Sequence, residues 1–235
     1  MASGNPPNPN QLIEIPREVA PGWKSRGYLP HFESPEKIQH VTFHLGDSLP
    51  REVVKRLRDE VCNLPLKKQT VELRKRLEAW VDAGHGSCLL QQPVIADLVQ
   101  NTLHFHNNMR YRLFAWVIMP NHVHVLFQTM NGWPMATIVA SWKKHTAMKI
   151  MALLRPDNAI KGALEKPVWH REYWDRFIRD EQHFHQVVEY IHQNPVKAGL
   201  VSTPDCWNWS SAKHANQEIG VPSKSPTQTP GTPIS

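Results

Sequence analysis

The chain is 235 residues long, with 27 Lys+Arg against 21 Asp+Glu, a formal net charge of +6 and a pI near 9.3. That length suits one domain with tails and can bury a core without staples; three widely spaced cysteines (Cys62, Cys88, Cys206) exclude a disulfide scaffold and a CxxC metal knuckle. No run approaches the ~18 apolar residues of a membrane helix, and MASGNPPNPN holds no apolar leader core, so a reducing cytoplasm and no membrane are expected.

In chain order, residues 1–25 read as a mobile arm, because the first 22 hold five prolines and little periodicity. Ile38–Leu45 (IQHVTFHL) alternates and is rich in β-formers, which predicts a strand. Pro50 opens a helix to about Asn63, capped by Ser48 or Asp47, with Val53, Val54, Leu57 and Val61 at helical spacing. A second helix is predicted over about Thr70–Asp82. A third starts at Pro93 and carries Ile95, Leu98, Val99 and Leu103 on one face. Arg110–Ile118 (RYRLFAWVI) and His122–Thr129 (HVHVLFQT) are β-prone runs split by Met119-Pro120-Asn121, the pattern of an antiparallel hairpin. A helix follows over about Pro134–Leu154. A last one covers Glu181–Gln193 and is ended by Pro195 and Gly199. The tail, 215–235, has twelve Pro, Ser, Thr or Gly in 21 residues and is expected to be disordered.

The charge is unevenly spread. Residues 1–35 hold three bases and three acids and 215–235 one of each, so all of the +6 lies in 36–214. Two stretches carry it: Pro50–Trp80 has nine Lys/Arg against five Asp/Glu, and Thr137–Lys161 has five against one. Two basic faces on one domain suit a phosphate backbone. The alternative is a pair of ordinary solvated helix faces.

His122-Val123-His124 lies on the second strand of the hairpin. Residues i and i+2 of a strand share a face, so both imidazoles project side by side and can share one divalent cation, while Val123 turns to the core. On a helix the same spacing diverges by ~200°. That separates this pair from His104-Phe105-His106 and His183-Phe184-His185, which fall on predicted helices. Tyr190 and Asn194 lie one turn apart on the last helix. A phenol is a poor nucleophile when protonated; a neighbouring divalent cation eases its ionisation and polarises a phosphoryl oxygen. Asn194 offers a neutral oxygen as third ligand, with Glu189 and Gln193 as alternatives. Glu189, ~100° round the helix from Tyr190, is expected to point away. Tyr173 is the rival nucleophile, but Trp169, Trp174 and Phe177 around it suggest packing.

Taken together, MPNHVHVLF, WHREYWDRFIRDE, VVEYIHQNPVKAGLV and WNWSSA resemble a known family, the REP-associated tyrosine transposases. These are single-tyrosine HUH transposases, similar to those of hairpin-ended insertion sequences. The resemblance covers roughly Arg26–His214 and implies an α+β fold. That fold is a ferredoxin-like antiparallel sheet with helices packed on one side, the hairpin supplying its central strands and the tyrosine on a C-terminal helix. It implies that His122 and His124 are metal ligands, with Asn194 helping, that Tyr190 is the nucleophile, and that the cofactor is Mg²⁺ or Mn²⁺. The implied activity is cleavage and strand transfer of single-stranded DNA beside short palindromic, REP-like hairpins through a 5′-phosphotyrosine, by a monomer or homodimer at the nucleoid. Arg26, Tyr28, Lys143, Lys144 and Lys197 are the expected DNA contacts, Lys143 and Lys144 beside Trp142. Two alternatives share the chemistry or the fold: a domesticated DNA-binding protein acting on repeats, and a replication-initiator or relaxase-like nickase. The chain departs from the family pattern in a helical insertion around 50–90 and a longer N-terminal arm, and nothing in 215–235 matches.

Overall fold

Alternation along the strands decides which residues meet. The computed structural model describes residues 23–25, 30–32, 37–154 and 167–214. Strand β1 (Trp23–Ser25) pairs with β2 (Pro30–Phe32) in a short antiparallel ladder. The main sheet comprises β3 (Ile38–His44), β4 (Tyr111–Ile118), β5 (His122–Thr129) and β6 (Trp174–Phe177), in the order β4-β5-β3-β6 and antiparallel throughout. Helices α1 (Arg51–Val61), α2 (Leu66–Asp82) and α3 (Pro93–Phe105) precede the β4–β5 hairpin, with α4 (Met135–Leu154) and α5 (Glu181–Lys197) after it. No described helix is long and apolar enough to cross a membrane.

One face of the sheet is apolar. Val41 and Phe43 of β3 and Val123, Val125 and Phe127 of β5 point there and pack against Ile95, Val99 and Leu103 of α3 and Ile138, Val139 and Trp142 of α4. The other face carries His40, Thr42, His44, His122 and His124 beside a smaller apolar cluster. In that cluster Phe114, Ala115, Val117 and Leu126 meet Phe184, Val187 and Ile191 of α5. A bulge enlarges it: the β4 register passes from Leu113↔Phe127 to Ala115↔Leu126, which turns Phe114 and Ala115 both toward α5. The sheet is therefore covered on both faces, not on one as expected. The apolar stripe of α5 needs a partner, and this second cluster supplies it.

The hairpin also sits differently from the expectation. β5 is an interior strand, but β4 lies at an edge of the sheet. That edge is closed by the last described segment: Ser210 bridges Val117, Trp209 O accepts from Ile118 N at 2.9 Å, and Ser211 Oγ accepts from Trp116 N at 2.9 Å.

The stretch around 50–90 forms the α1–α2 pair, whose Leu49, Val81 and Trp174 cluster, with Val54, Leu77 and Trp80 against them, leans on β6. Neither expected cap closes α1. Ser48 Oγ donates to Leu45 O at 2.8 Å, and Asp47 accepts from Ser87 N at 2.7 Å, so both serve the neighbouring loop. α2 starts at Leu66 rather than Thr70, because Lys68 N and Gln69 N already bond Pro65 O at 2.7 and 3.0 Å. α5 runs through Pro195 to Lys197 instead of stopping at Gln193. Pro195 forfeits one bond in the last turn; Ala198 N to Asn194 O and Gly199 N to Val196 O then close the helix, with Gly199 at φ 69°. Of the expected arm, Trp23–Ser25 is strand; residues 1–22, the tail 215–235, Arg26 and Tyr28 lie outside the described residues.

Candidate active site

His122 and His124 project from the interior strand β5 onto the α5 face, each at most 2% exposed. Their Nε2 atoms are 3.0 Å apart. The far nitrogen of each ring is held. Asn121 Oδ1 lies 2.7 Å from His122 Nδ1, and the Asn121 amide nitrogen donates to Val81 O and His85 O, both at 2.9 Å. With its N–H groups so committed, the Asn121 oxygen faces His122, whose Nδ1 must donate. His122 Nε2 is then a bare lone pair. His124 Nδ1 sits 2.8 Å from the hydroxyl of Thr42, its cross-strand partner, and 3.2 Å from His40 Nε2. When His124 gives its proton to that side, a second lone pair turns to the same point.

The third group comes from α2. Asp82, the last residue of α2, places Oδ1 3.4 Å from His122 Nε2 and 4.0 Å from His124 Nε2. Asp82, His122 and His124 can each turn one donor atom to within 4.8 Å of the others, and they form the one such metal-capable group among the described residues. The donor set fits a divalent cation. Two cis ligands with bonds of ~2.1 Å stand ~3.0 Å apart, and two imidazoles with one carboxylate suit Mn²⁺ and neighbouring ions. Burial, then the neighbouring imidazoles, holds both histidines well below the ordinary value, which keeps them neutral and able to coordinate.

Tyr190 completes the cluster from α5. Its hydroxyl donates to Asp82 Oδ2 at 3.3 Å, its ring centroid is 5.4 Å from that of His124, and Lys197 Nζ stands 5.1 Å from the ring centre. One carboxylate thus touches the imidazoles through one oxygen and the phenol through the other. Burial raises Asp82 to about 6, opposed by the Tyr190 hydrogen bond. Burial, then the Asp82 charge, pushes the phenol well above its ordinary value, with the Asn194 side chain pulling the other way. The Asn194 amide nitrogen donates to Tyr190 O at 3.3 Å. Glu189 is exposed, as its position round the helix predicted.

The remaining candidates separate cleanly. His183 is buried and His185 exposed on α5, and His104 lies in the last turn of α3 with His106 just past its end, so neither helical triplet forms a pair. Tyr173 packs against the large core, and Tyr111 is buried there, donating to Leu103 O at 2.8 Å. Lys144 is exposed. Lys143 is not free for DNA: its ammonium donates to His170 O at 2.7 Å and Arg171 O at 2.8 Å, and burial lowers it to about 8. Asp82 was missed by sequence reasoning. Its run, VDAGHG, has no metal-ligand spacing, and the acid meets the histidines only through the packing of α2.

A buried His-hydrophobic-His pair on an interior strand, with a tyrosine helix across it, is the arrangement that the resemblance to tyrosine transposases implied. The comparisons give the particulars. A family model described as "Transposase IS200 like" matches residues 87–194. The REP-associated tyrosine transposase of Escherichia coli is 25% identical over 101 residues, which are 43% of this chain and 54% of that protein. A Haemophilus influenzae protein provisionally given the same name is 30% identical over 103 residues, 43% of this chain and 58% of its own. The chain thus spans a little more than half the length of these relatives. A solved REP-associated tyrosine transposase bound to a REP hairpin shares the fold, with a TM-score of 0.51 at 16% identity over 87% of this chain and 96% of that one. The chain is thus similar to these transposases over the region that holds the hairpin and most of α5, and the family-model match begins after the α1–α2 pair that supplies Asp82.

Proposed function

We propose that the protein is a metal-dependent single-strand DNA endonuclease and strand transferase acting beside REP-like hairpins. The observation that carries this reading is the Asp82 carboxylate, which spans from His122 to the Tyr190 hydroxyl within one chain. The hairpin substrate is carried over from the solved relative, which was bound to one.

In this reading His122, His124 and Asp82 would hold Mg²⁺ or Mn²⁺, with Asn194 as a further neutral oxygen donor. The cation, when bound, withdraws charge from the scissile phosphate and eases ionisation of the phenol. Tyr190 Oη attacks phosphorus, the bond from phosphorus to the 3′ oxygen breaks, and a 5′-phosphotyrosine forms while the strand end leaves as a 3′-OH. The phenolic proton moves to Asp82 Oδ2, its hydrogen-bond acceptor, and the departing oxygen takes a proton in turn. The phosphotyrosine keeps the phosphodiester's energy, so a second 3′-OH can reseal the strand and regenerate the phenol. Lys197 and Lys144 contact phosphates.

The test is incubation with labelled hairpin-flanked single strands and Mn²⁺. A denaturant-stable protein–DNA adduct is expected, and Tyr190→Phe abolishes it while binding persists. An adduct with the Phe variant overturns the nucleophile. Binding without cleavage under any divalent ion favours the domesticated DNA-binding protein instead.

A further inference from the structure

Each imidazole of the pair is held from behind, but by groups of different reach. Thr42 touches His124 and belongs to the same sheet. Asn121, fully buried, touches His122 with its oxygen and the far end of α2 with its nitrogen. Val81 O and His85 O, the two carbonyls it binds, bracket Asp82 in sequence. The turn around Asn121 is itself fixed, since its carbonyl accepts from Leu45 N at 2.9 Å and Met119 N bonds His122 O at 2.8 Å. The next turn of chain rests on it too, with Leu90 N bonding Pro120 O at 3.1 Å.

We propose that Asn121 is a positioning residue that couples the two halves of the metal site, fixing the His122 tautomer and stapling the Asp82-bearing end of α2 to the hairpin turn. The inference rests on the metal-site reading of Asp82, His122 and His124. Those ligands lie on separate elements: β5 is built into the sheet, whereas Asp82 ends a helix of an inserted pair. Val81 O, in the last turn of α2, carries the negative end of the dipole and also accepts from Gly84 N at 3.0 Å, while His85 O lies in the loop past the helix. An amide nitrogen satisfies them; a carboxylate in its place repels them. Asn121→Asp therefore keeps an acceptor for His122 Nδ1–H but removes the donors to Val81 O at the end of α2 and to His85 O in the loop after it, which separates the two roles in one substitution. Replacement of a group behind a metal ligand typically costs ~10–100-fold in affinity.

The experiment uses the full chain in four forms: wild type, Asn121→Asp, Asp82→Ala and the double variant. Hydrogen exchange is measured without metal, and Mn²⁺ affinity by calorimetry. Asn121→Asp is expected to speed exchange of the amides of 83–86 at least ~10-fold while those of β5 stay protected. It should weaken Mn²⁺ by ~10-fold or more, yet add less than ~2-fold on top of Asp82→Ala, because its effect passes through Asp82. Unchanged exchange at 83–86, or fully additive affinity losses, overturns the proposal. Should Asn121→Asp fail to fold, Asn121→Ser, too short to reach both carbonyls, is expected to give the same pattern in smaller measure. If wild type and Asp82→Ala bind Mn²⁺ equally, the metal reading of Asp82 fails, while the exchange result still decides whether Asn121 holds the end of α2.

Discussion

The two faces of one sheet are put to different uses. From the same strands, Val41, Phe43, Val123, Val125 and Phe127 point one way, and His40, Thr42, His44, His122 and His124 the other. The first set meets two helices and forms the larger core. The second buries ionisable groups that burial disfavours when charged: His40 and His44 are each lowered to about 3. The difference teaches that the site costs stability that the opposite face supplies. Because the strand period is two, neither set can be altered by a one-residue slip without inverting both.

The division can be broken from either side. The largest effect is expected at Tyr190. Tyr190→Phe should lower adduct yield more than ~1,000-fold in a gel assay. Stability should change by about 1 kcal/mol, since only one partly buried hydrogen bond is lost. On the apolar face, Phe43→Ala is expected to cost ~3–5 kcal/mol in denaturant unfolding, the penalty of a buried aromatic cavity. Mn²⁺ affinity of the molecules that remain folded should hold; a selective loss would mean that the faces are not independent. Asp82→Asn preserves shape and removes the charge, and should weaken Mn²⁺ by ~10–100-fold with little change in melting temperature.

A pH series sharpens the same contrast. Burial depresses His44 from 6.5 to about 3, so between those values the unfolded chain takes up a proton that the folded one refuses. Stability contributed by neutral His44 is therefore present above pH 6.5 and is lost as pH falls toward 3. His44→Phe, which keeps a ring between His170 and Trp174, should flatten the fall in melting temperature between pH 6.5 and 4. The smallest effect expected is at the lysines. Lys144→Ala should reduce the salt dependence of DNA binding by ~1 in log–log slope. Lys143→Ala should leave that slope alone and lower stability, because its ammonium holds backbone carbonyls.

Much of the site was legible because it rests on local periodicity. His122 and His124 share a face by strand parity, and Tyr190 and Asn194 share one by helical spacing, so each pair was readable before the pairs were brought together. Asp82 was not, because α2 brings it to the histidines through tertiary packing around Leu49, Val81 and Trp174, which no spacing announces. The reach of α5 past Pro195 was hidden for a related reason: proline is read as a stop, yet near a helix end it removes a single bond. β6 is only four residues long and lay among aromatics that read as packing. The face covered by α5 could not be chosen from its own stripe, since the bulge at Phe114 that enlarges the receiving cluster is a matter of register between strands.

The closed edge of β4 has a consequence for the chain's solubility. An edge strand with free N–H groups is a template for adding another strand. Here Trp209, Ser210 and Ser211 occupy the outer side of β4. A chain cut after Cys206 would bare the N–H groups of Trp116 and Ile118 on a strand rich in aromatic and β-branched residues. The bared strand would become a surface on which copies could stack, so residues 207–214 act as a guard against aggregation.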